Sequence, residues 1–303
     1  PDSDIITTHF DFHSIHDNLL KLDELGHDVP TIIRHLQNLT GVDPMDVPLD
    51  DKETMRAFTD IGPLGIETDD ILEQPGSAGV PEFGTKNARG MLMETQPTTL
   101  EGLCRISGLS HGTNVWLGNA QDLIKEGICD ISKVIGTRDG IMLDMIRYGL
   151  ENAMAFKIME IVRKGNATKL LTEEHFKAMR EHDVPEWYIE SCMKIKYMFP
   201  KAHAAAYVMM AFRIAWFKVY HPLAFYSAYF YRRSQKGGFD AVLMTNGLES
   251  VLANIDAIDN NEDATAKDED LLTTMEVVYE FYLRGFEFAP ISIYESHATK
   301  FLI

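Results

Sequence analysis

The apolar positions of this chain repeat first with period two and then, over most of its length, with helical spacing. Phe10 and Phe12 alternate with His9, Asp11 and His13, the pattern of a strand with one apolar face. "NLLKLDEL", residues 18–25, continues as a second short strand or strand end. Asp28 and Pro30 then open a helix whose stripe is Ile32, Ile33, Leu36 and Leu39, stopped by Gly41. Beyond it the spacing predicts helices over about 51–59, 98–106, 119–126, 138–149, 152–164, 172–182, 185–196, 201–219, 222–233 and 268–284. Asn119 and Thr172 read as N-caps, Gly127 and Gly165 as stops. The Gly- and Pro-rich segment 74–87 reads as a mobile loop, 234–239 and 259–270 as breaks, and 287–294 as a candidate strand. The pattern predicts an α+β fold, predominantly α-helical, with short strands at the N-terminus and many helices after them.

Composition narrows the class. With 303 residues, 45% hydrophobic and 24% charged, the chain has the makeup of a soluble globular protein of one large domain or two ordinary ones. It starts at Pro1 and stops at "KFLI", and is expected to be a piece of a larger polypeptide without a secretory leader. Its three cysteines (Cys104, Cys129, Cys192) lie far apart with no C-x-x-C, which points to a reducing compartment and away from a disulfide framework or zinc knuckle. The net charge of −18 argues at first sight against nucleic acid. The average hides a stripe. Residues 191–239 hold five Lys, three Arg and no acidic residue, so this window is +8 and the remainder −26. Screening confines each charge to about 10 Å, so such a stripe can still grip a polyanion.

The stripe includes "YMFPKAHAAAYVMMAFRIAWFKVYHPLAFYSAYF", residues 197–230. It is no membrane span, because Arg213 interrupts its uncharged run well short of the roughly 20 residues required. Val208, Ala211, Ala215 and Val219 share one face, as in a core helix. Lys201 and His203, however, sit in the first turn, where unpaired N–H groups and the positive end of the dipole already favour an anion. With no acidic neighbour in sequence, they call for an external anion. Phe199 and Tyr207 add flat faces suited to a base.

"FPKAHAAAYVMMAFRIAWFKVYHP" closely resembles the fingers signature of the C-family bacterial replicative DNA polymerases, the DNA polymerase III alpha subunits. "THFDFHSIHDNLLKLD", "ARGML", "ISGLSHGTNVWLGNAQ" and "AFKIMEIVRKG" are similar to the PolC type of low-GC Gram-positive bacteria. The resemblance implies the C-terminal part of the palm over 1–30, a nucleotide-binding fingers domain over 31–235, and the end of the fingers with the start of a duplex-binding region over 236–303. It implies a DNA-directed DNA polymerase of chromosomal replication, located in the cytoplasm. Such an enzyme joins a primer 3′-hydroxyl to a deoxynucleotide with release of pyrophosphate, using Mg2+ held by palm aspartates. Its partners would be primer-template DNA and deoxynucleoside triphosphates, with a sliding clamp and other replisome proteins met through regions outside this chain, and no membrane.

The same resemblance implies site residues. Asp23 matches the third palm aspartate, a metal ligand, and Lys21 a palm lysine near the nucleotide phosphates. Glu24 stands where the family has an apolar residue. The other two aspartates belong to an Asp-x-Asp motif not found here, since Asp2 and Asp4 lack the flanking apolar strand, so this piece alone should not polymerise. Ser110 and His111 match a loop lining the nascent base pair, Arg138 an arginine reaching the triphosphate, and Lys196, Phe199, Lys201, His203 and Tyr207 complete the pocket. Arg89 is a weaker match for a template or nucleotide contact, and Arg147 stands one place from a family arginine. Two rival readings of the residues remain. His9, Asp11, His13, His16 and Asp17 could build a metallophosphohydrolase site. A helical module that only binds partners would have no nucleotide affinity at all.

Overall fold

The computed structural model describes residues 4–15, 18–20, 22, 26–67 and 75–303. Lys21, Asp23, His16 and Asp17 lie outside the described residues. Among those described there are sixteen α-helices and no strand. The expected strand over 9–13 is therefore not found; of the second, 18–25, residues 21 and 23–25 lie outside the described residues and the others form no strand. Phe12–Ile15 forms one helical turn, α1, opened by Asp11, whose carboxylate accepts from the His13 N–H at 3.0 Å. A two-residue alternation also fits an Asp-capped turn, and no partner strand is present here to favour the extended form. Residues 287–294 are likewise irregular.

The helices follow in chain order as α2 (Asp28–Thr40), α3 (Lys52–Ala57), α4 (Lys86–Thr95), α5 (Leu100–His111), α6 (Gln121–Lys125), α7 (Arg138–Arg147) and α8 (Asn152–Arg163). Then come α9 (Ala167–Leu170), α10 (Glu173–Glu181), α11 (Glu186–Lys194), α12 (Lys201–Tyr220) and α13 (Pro222–Gln235). The last are α14 (Ala241–Met244), α15 (Leu248–Asp259) and α16 (Ala266–Leu283). Local chemistry sets many ends. Thr85, Thr99 and Thr137 cap α4, α5 and α7 through their hydroxyls. Thr172 caps α10 in a box closed by His175. Asn119 is not the cap expected of it. It sits in an irregular turn over Trp116–Ala120, where its buried amide accepts from the Ser191 hydroxyl and donates to the Asn114 carbonyl.

α12 is the axis of the molecule, packed against α2, α3, α5, α7 and α13. Val208, Ala211, Phe212, Ile214, Ala215 and Phe217 are all buried in one core, so its apolar face is broader than a single stripe. No helix is long and apolar enough to cross a membrane among the described residues.

Two features depart from ordinary apolar packing. Lys218, near the end of α12, is 1% exposed, and its ammonium lies 2.8 Å from Glu280 on α16, itself 0% exposed. The same ammonium donates to the carbonyls of Gly76 and Ala78 at 2.8 and 2.6 Å. Burial pushes its pKa down to about 8, against the pull of Glu280. Beside it Arg89 on α4 is 2% exposed and donates to Glu276 on α16 at 2.7 Å, so Arg89 is a buried ion-pair partner and not a contact for template or nucleotide. The segment expected to be a mobile loop is, over its described residues, packed. Ser77, Ala78, Val80 and Phe83 are buried, the Ser77 hydroxyl donates to the Phe83 carbonyl at 2.8 Å, and Lys218 holds two of its carbonyls. Glycine and proline mark irregular backbone, not motion.

Candidate functional site

The site residues lie on and beside residues 195–200, the connector that delivers the chain from α11 into α12. Three neighbours pin this connector through its backbone. Lys196 donates to the Thr113 carbonyl at 3.0 Å and Thr113 to Tyr197 at 3.0 Å, an isolated antiparallel bridge after α5. Met198 donates to Arg163, at the end of α8, at 3.2 Å. The Phe199 carbonyl accepts from the Arg138 N–H, at the start of α7, at 2.9 Å. Gly165 takes a left-handed φ of 72°, and a Cβ on it would meet the Lys196 carbonyl at 2.4 Å, so only glycine fits this approach. α5 comes equally close on the other side, where a Cβ on Gly108 would stand 1.8 Å from the Gly136 carbonyl.

These clamps bring Arg138 and Lys201 together. The Lys201 N–H opens α12 by donating to the Asp139 carboxylate at 2.7 Å, and the same oxygen lies 3.6 Å from Arg138 Nε. Pro200 has no side-chain cap to offer, so a carboxylate from α7 fills that role. The Lys201 ammonium reaches Glu101, in the first turn of α5, at 3.1 Å. The sequence expectation of a helix start without acidic neighbours is thus corrected: Asp139 and Glu101 arrive from other helices.

A row of rings runs along the same surface. His111 stacks on Phe199 with centroids 4.8 Å apart, and Phe199 meets His203 edge-on at 5.0 Å. His203 stacks on Tyr207 at 4.3 Å, and Tyr207 meets His27 at 4.6 Å. His203 and Phe199 come from the first turn of α12 and its connector, Tyr207 from one turn further on. Ser110 and His111 are the last residues of α5 and not a loop, with the Ser110 hydroxyl 3.0 Å from His111 Nδ1. His111 Nε2 lies 3.4 Å from Glu82, on the packed 75–85 segment. Lys196 is exposed at the far end of the connector. Of the sequence-derived pocket residues, then, Ser110, His111, Arg138, Phe199, Lys201, His203 and Tyr207 gather on one surface. Reading the sequence missed Glu82, Glu101 and His27, whose involvement depends on tertiary contacts; Asp139 is legible in the sequence as a possible partner of its neighbour Arg138, but not as the acceptor of the Lys201 N–H.

The basic window is also less bare than its composition. Five of its cations pair with carboxylates: Lys201 with Glu101, Lys218 with Glu280, Arg232 and Lys236 with Asp28, and Arg233 with Asp270. Arg147, the displaced family match, pairs on its own helix with Asp144 at 2.9 Å. Among the described residues no group of three His, Cys, Asp or Glu could hold a metal ion, and His9, Asp11 and His13 do not form one.

Comparison with known proteins gives the family of the chain. Residues 29–183 match the family described as the bacterial DNA polymerase III alpha subunit finger domain. The chain is 55% identical over 305 aligned positions to the PolC-type DNA polymerase III of Caldanaerobacter subterraneus subsp. tengcongensis, covering 100% of this chain and 21% of that protein. It is 56% identical over 299 positions to the PolC-type enzymes of Staphylococcus haemolyticus and Staphylococcus aureus strain MW2, covering 98% of this chain and 20% of each. The chain thus spans about a fifth of the length of these relatives. With over half its length on that family model and its core built around the helix that carries the fingers signature, the chain belongs to the finger-domain family of bacterial DNA polymerase III alpha subunits.

Proposed function

We propose that this chain is the nucleotide-binding part of a replicative DNA-directed DNA polymerase, and that the start of α12 receives the triphosphate of the incoming deoxynucleotide. The observation that carries this reading is the convergence of Arg138 and Lys201 on one helix N-terminus, beside a row of rings that offers a base a stacking face. Arg138 and Lys201 would donate charge-assisted hydrogen bonds to phosphate oxygens. His203 would add a donor in either protonation state, and Phe199, Tyr207, His111 and Ser110 would border the base. Lys196 extends the positive surface toward the primer-template.

The reading includes a domain division of palm over 1–30, fingers over 31–235, and the approach to the duplex-binding region over 236–303. In it Asp23 would be a ligand of Mg2+ and Lys21 would serve the nucleotide phosphates. Mg2+, when bound, would stabilise charge on the attacking and leaving oxygens. Primer-template DNA and deoxynucleotides are the substrates, the clamp and replisome bind elsewhere on the full polymerase, and the cytoplasm is its compartment. Asp23→Ala in the full-length enzyme is expected to abolish nucleotide addition while primer-template binding persists; activity within about tenfold of wild type, roughly 1.4 kcal/mol of barrier, contradicts the metal role.

The deciding experiment is Lys201→Ala in the full-length polymerase, with steady-state kinetics for each of the four deoxynucleotides. KM should rise by about ten- to a hundredfold, the size of a hydrogen bond to a charged group, and by similar factors for all four because phosphates carry no base identity. An unchanged KM in a folded enzyme would leave α12 as a core helix only, the outcome that a binding module without nucleotide affinity requires.

A further inference from the structure

Lys201 is already engaged. Its ammonium stands 3.1 Å from Glu101, with the two side chains 32% and 49% exposed. A triphosphate at the start of α12 would have to take the lysine from this carboxylate or share it. We propose that Glu101 is an internal counterion that competes with nucleotide phosphate for Lys201, setting how tightly triphosphate is held and recapturing the lysine when pyrophosphate leaves. This rests on the phosphate-binding reading of Lys201 given above.

Three observations support the role. The pair joins two helices, α5 and α12, so Glu101 is fixed by the fold and not by chain neighbours. It is half-exposed, and ion pairs of this kind contribute little to stability and open readily. Glu101 also has an alternative partner: Arg105, one turn on, lies 3.6 Å away with its Nη1 held by the Val134 carbonyl at 2.5 Å. The carboxylate released by Lys201 therefore keeps a cation beside it. Asp139 differs, because it accepts from the backbone N–H that opens α12 and has a capping role as well.

Charge makes the competition selective. A carboxylate offers one negative charge, whereas a triphosphate offers several and more acceptor oxygens. A weakly charged ligand gains little by displacing Glu101, so the pair biases the site toward the fully charged nucleotide.

Glu101→Gln tests this, because the amide keeps the shape and removes the charge. The cap of α5 is untouched, since the Thr99 hydroxyl accepts from the Gly102 N–H at 3.1 Å. In the full-length polymerase on a fixed primer-template at low salt, KM for each deoxynucleotide should fall by about two- to fivefold. Inhibition by added pyrophosphate should strengthen by a similar factor, and both changes should shrink as salt screens the pair. In a Lys201→Ala background the same substitution should change neither quantity, the signature of direct coupling. If Lys201→Ala raises KM but Glu101→Gln does not lower it, the counterion role is wrong and the phosphate site stands. If the gain persists in the Lys201→Ala background, Glu101 acts through the general field and the pairing is likewise wrong. If Lys201→Ala itself is silent, the phosphate site fails and the competition with it.

Discussion

The two ends of α12 hold a lysine each, and the fold uses them in opposite ways. Lys218 is 1% exposed and surrounded by Glu280 and two backbone carbonyls, all within 2.8 Å. Lys201 is half-exposed, with one carboxylate at 3.1 Å on a partly solvated helix start. The residues are chemically identical and seventeen positions apart on one helix. What separates them is the cost of being left alone. An ammonium in the core must keep every partner, because water cannot replace one. An ammonium at the surface can exchange its carboxylate for another anion with little change in stability. A binding residue needs the second condition and a structural one the first.

The sharpest way to break this comparison is Lys218→Met. It leaves the Glu280 carboxylate buried without its cation and should cost about 3–5 kcal/mol, read by urea unfolding. Replacing Glu280 with leucine as well should recover a good part of that loss, because no uncompensated charge then remains. A loss below about 1 kcal/mol would mean that water reaches the pair, and the contrast with Lys201 would collapse. Lys201→Ala should show the reverse profile: the KM increase given above, with less than about 1 kcal/mol of stability lost. A large stability loss at Lys201 would make both lysines structural.

A third set of ion pairs is partly exposed. Arg232 and Lys236 at the end of α13 both hold Asp28 at the start of α2, which ties α2 to α13. The hydrogen bond from Lys236, with Arg232 beside it, holds the Asp28 carboxyl below its usual 3.8, against a smaller effect of burial. A depressed carboxylate stabilises the fold fully above its unfolded pKa, and the contribution is lost as pH falls through the folded value. Asp28→Asn should therefore cost about 1 kcal/mol near neutral pH, discounted for partial exposure, and the gap to wild type should narrow below about pH 4. Unfolding measured at pH 7 and pH 3 checks it, and a gap independent of pH would rule out the charge as its cause.

The sequence itself determined the helices whose signals are local. Thr137 with Arg138, Thr172 with His175, Pro222 and the apolar spacing of α12 fix their elements through neighbours within a turn or two, and those helices lie where the spacing puts them. The family signature on α12 was legible for the same reason, as an unbroken string on one helix. The N-terminal alternation misled because a strand needs a partner that alternation cannot supply. α15 was missed although Leu248, Val251, Leu252, Ile255 and Ile258 carry helical spacing, since the acidic residues nearby read as a break. Tertiary structure alone decided what the charges do. Arg89 reads as a match for a template or nucleotide contact and Lys218 as one charge of the basic window, yet α16 brings Glu276 and Glu280 to them from about 190 and 60 residues away, and burial makes breaking either pair costly. Glu101 and Asp139 reach Lys201 from 100 and 62 residues away, and no window on the sequence holds both ends of such a contact. Propensity acts between chain neighbours, whereas electrostatic pairing acts through space, so the sequence could name the cations of this site but only the packed helices could assign their partners.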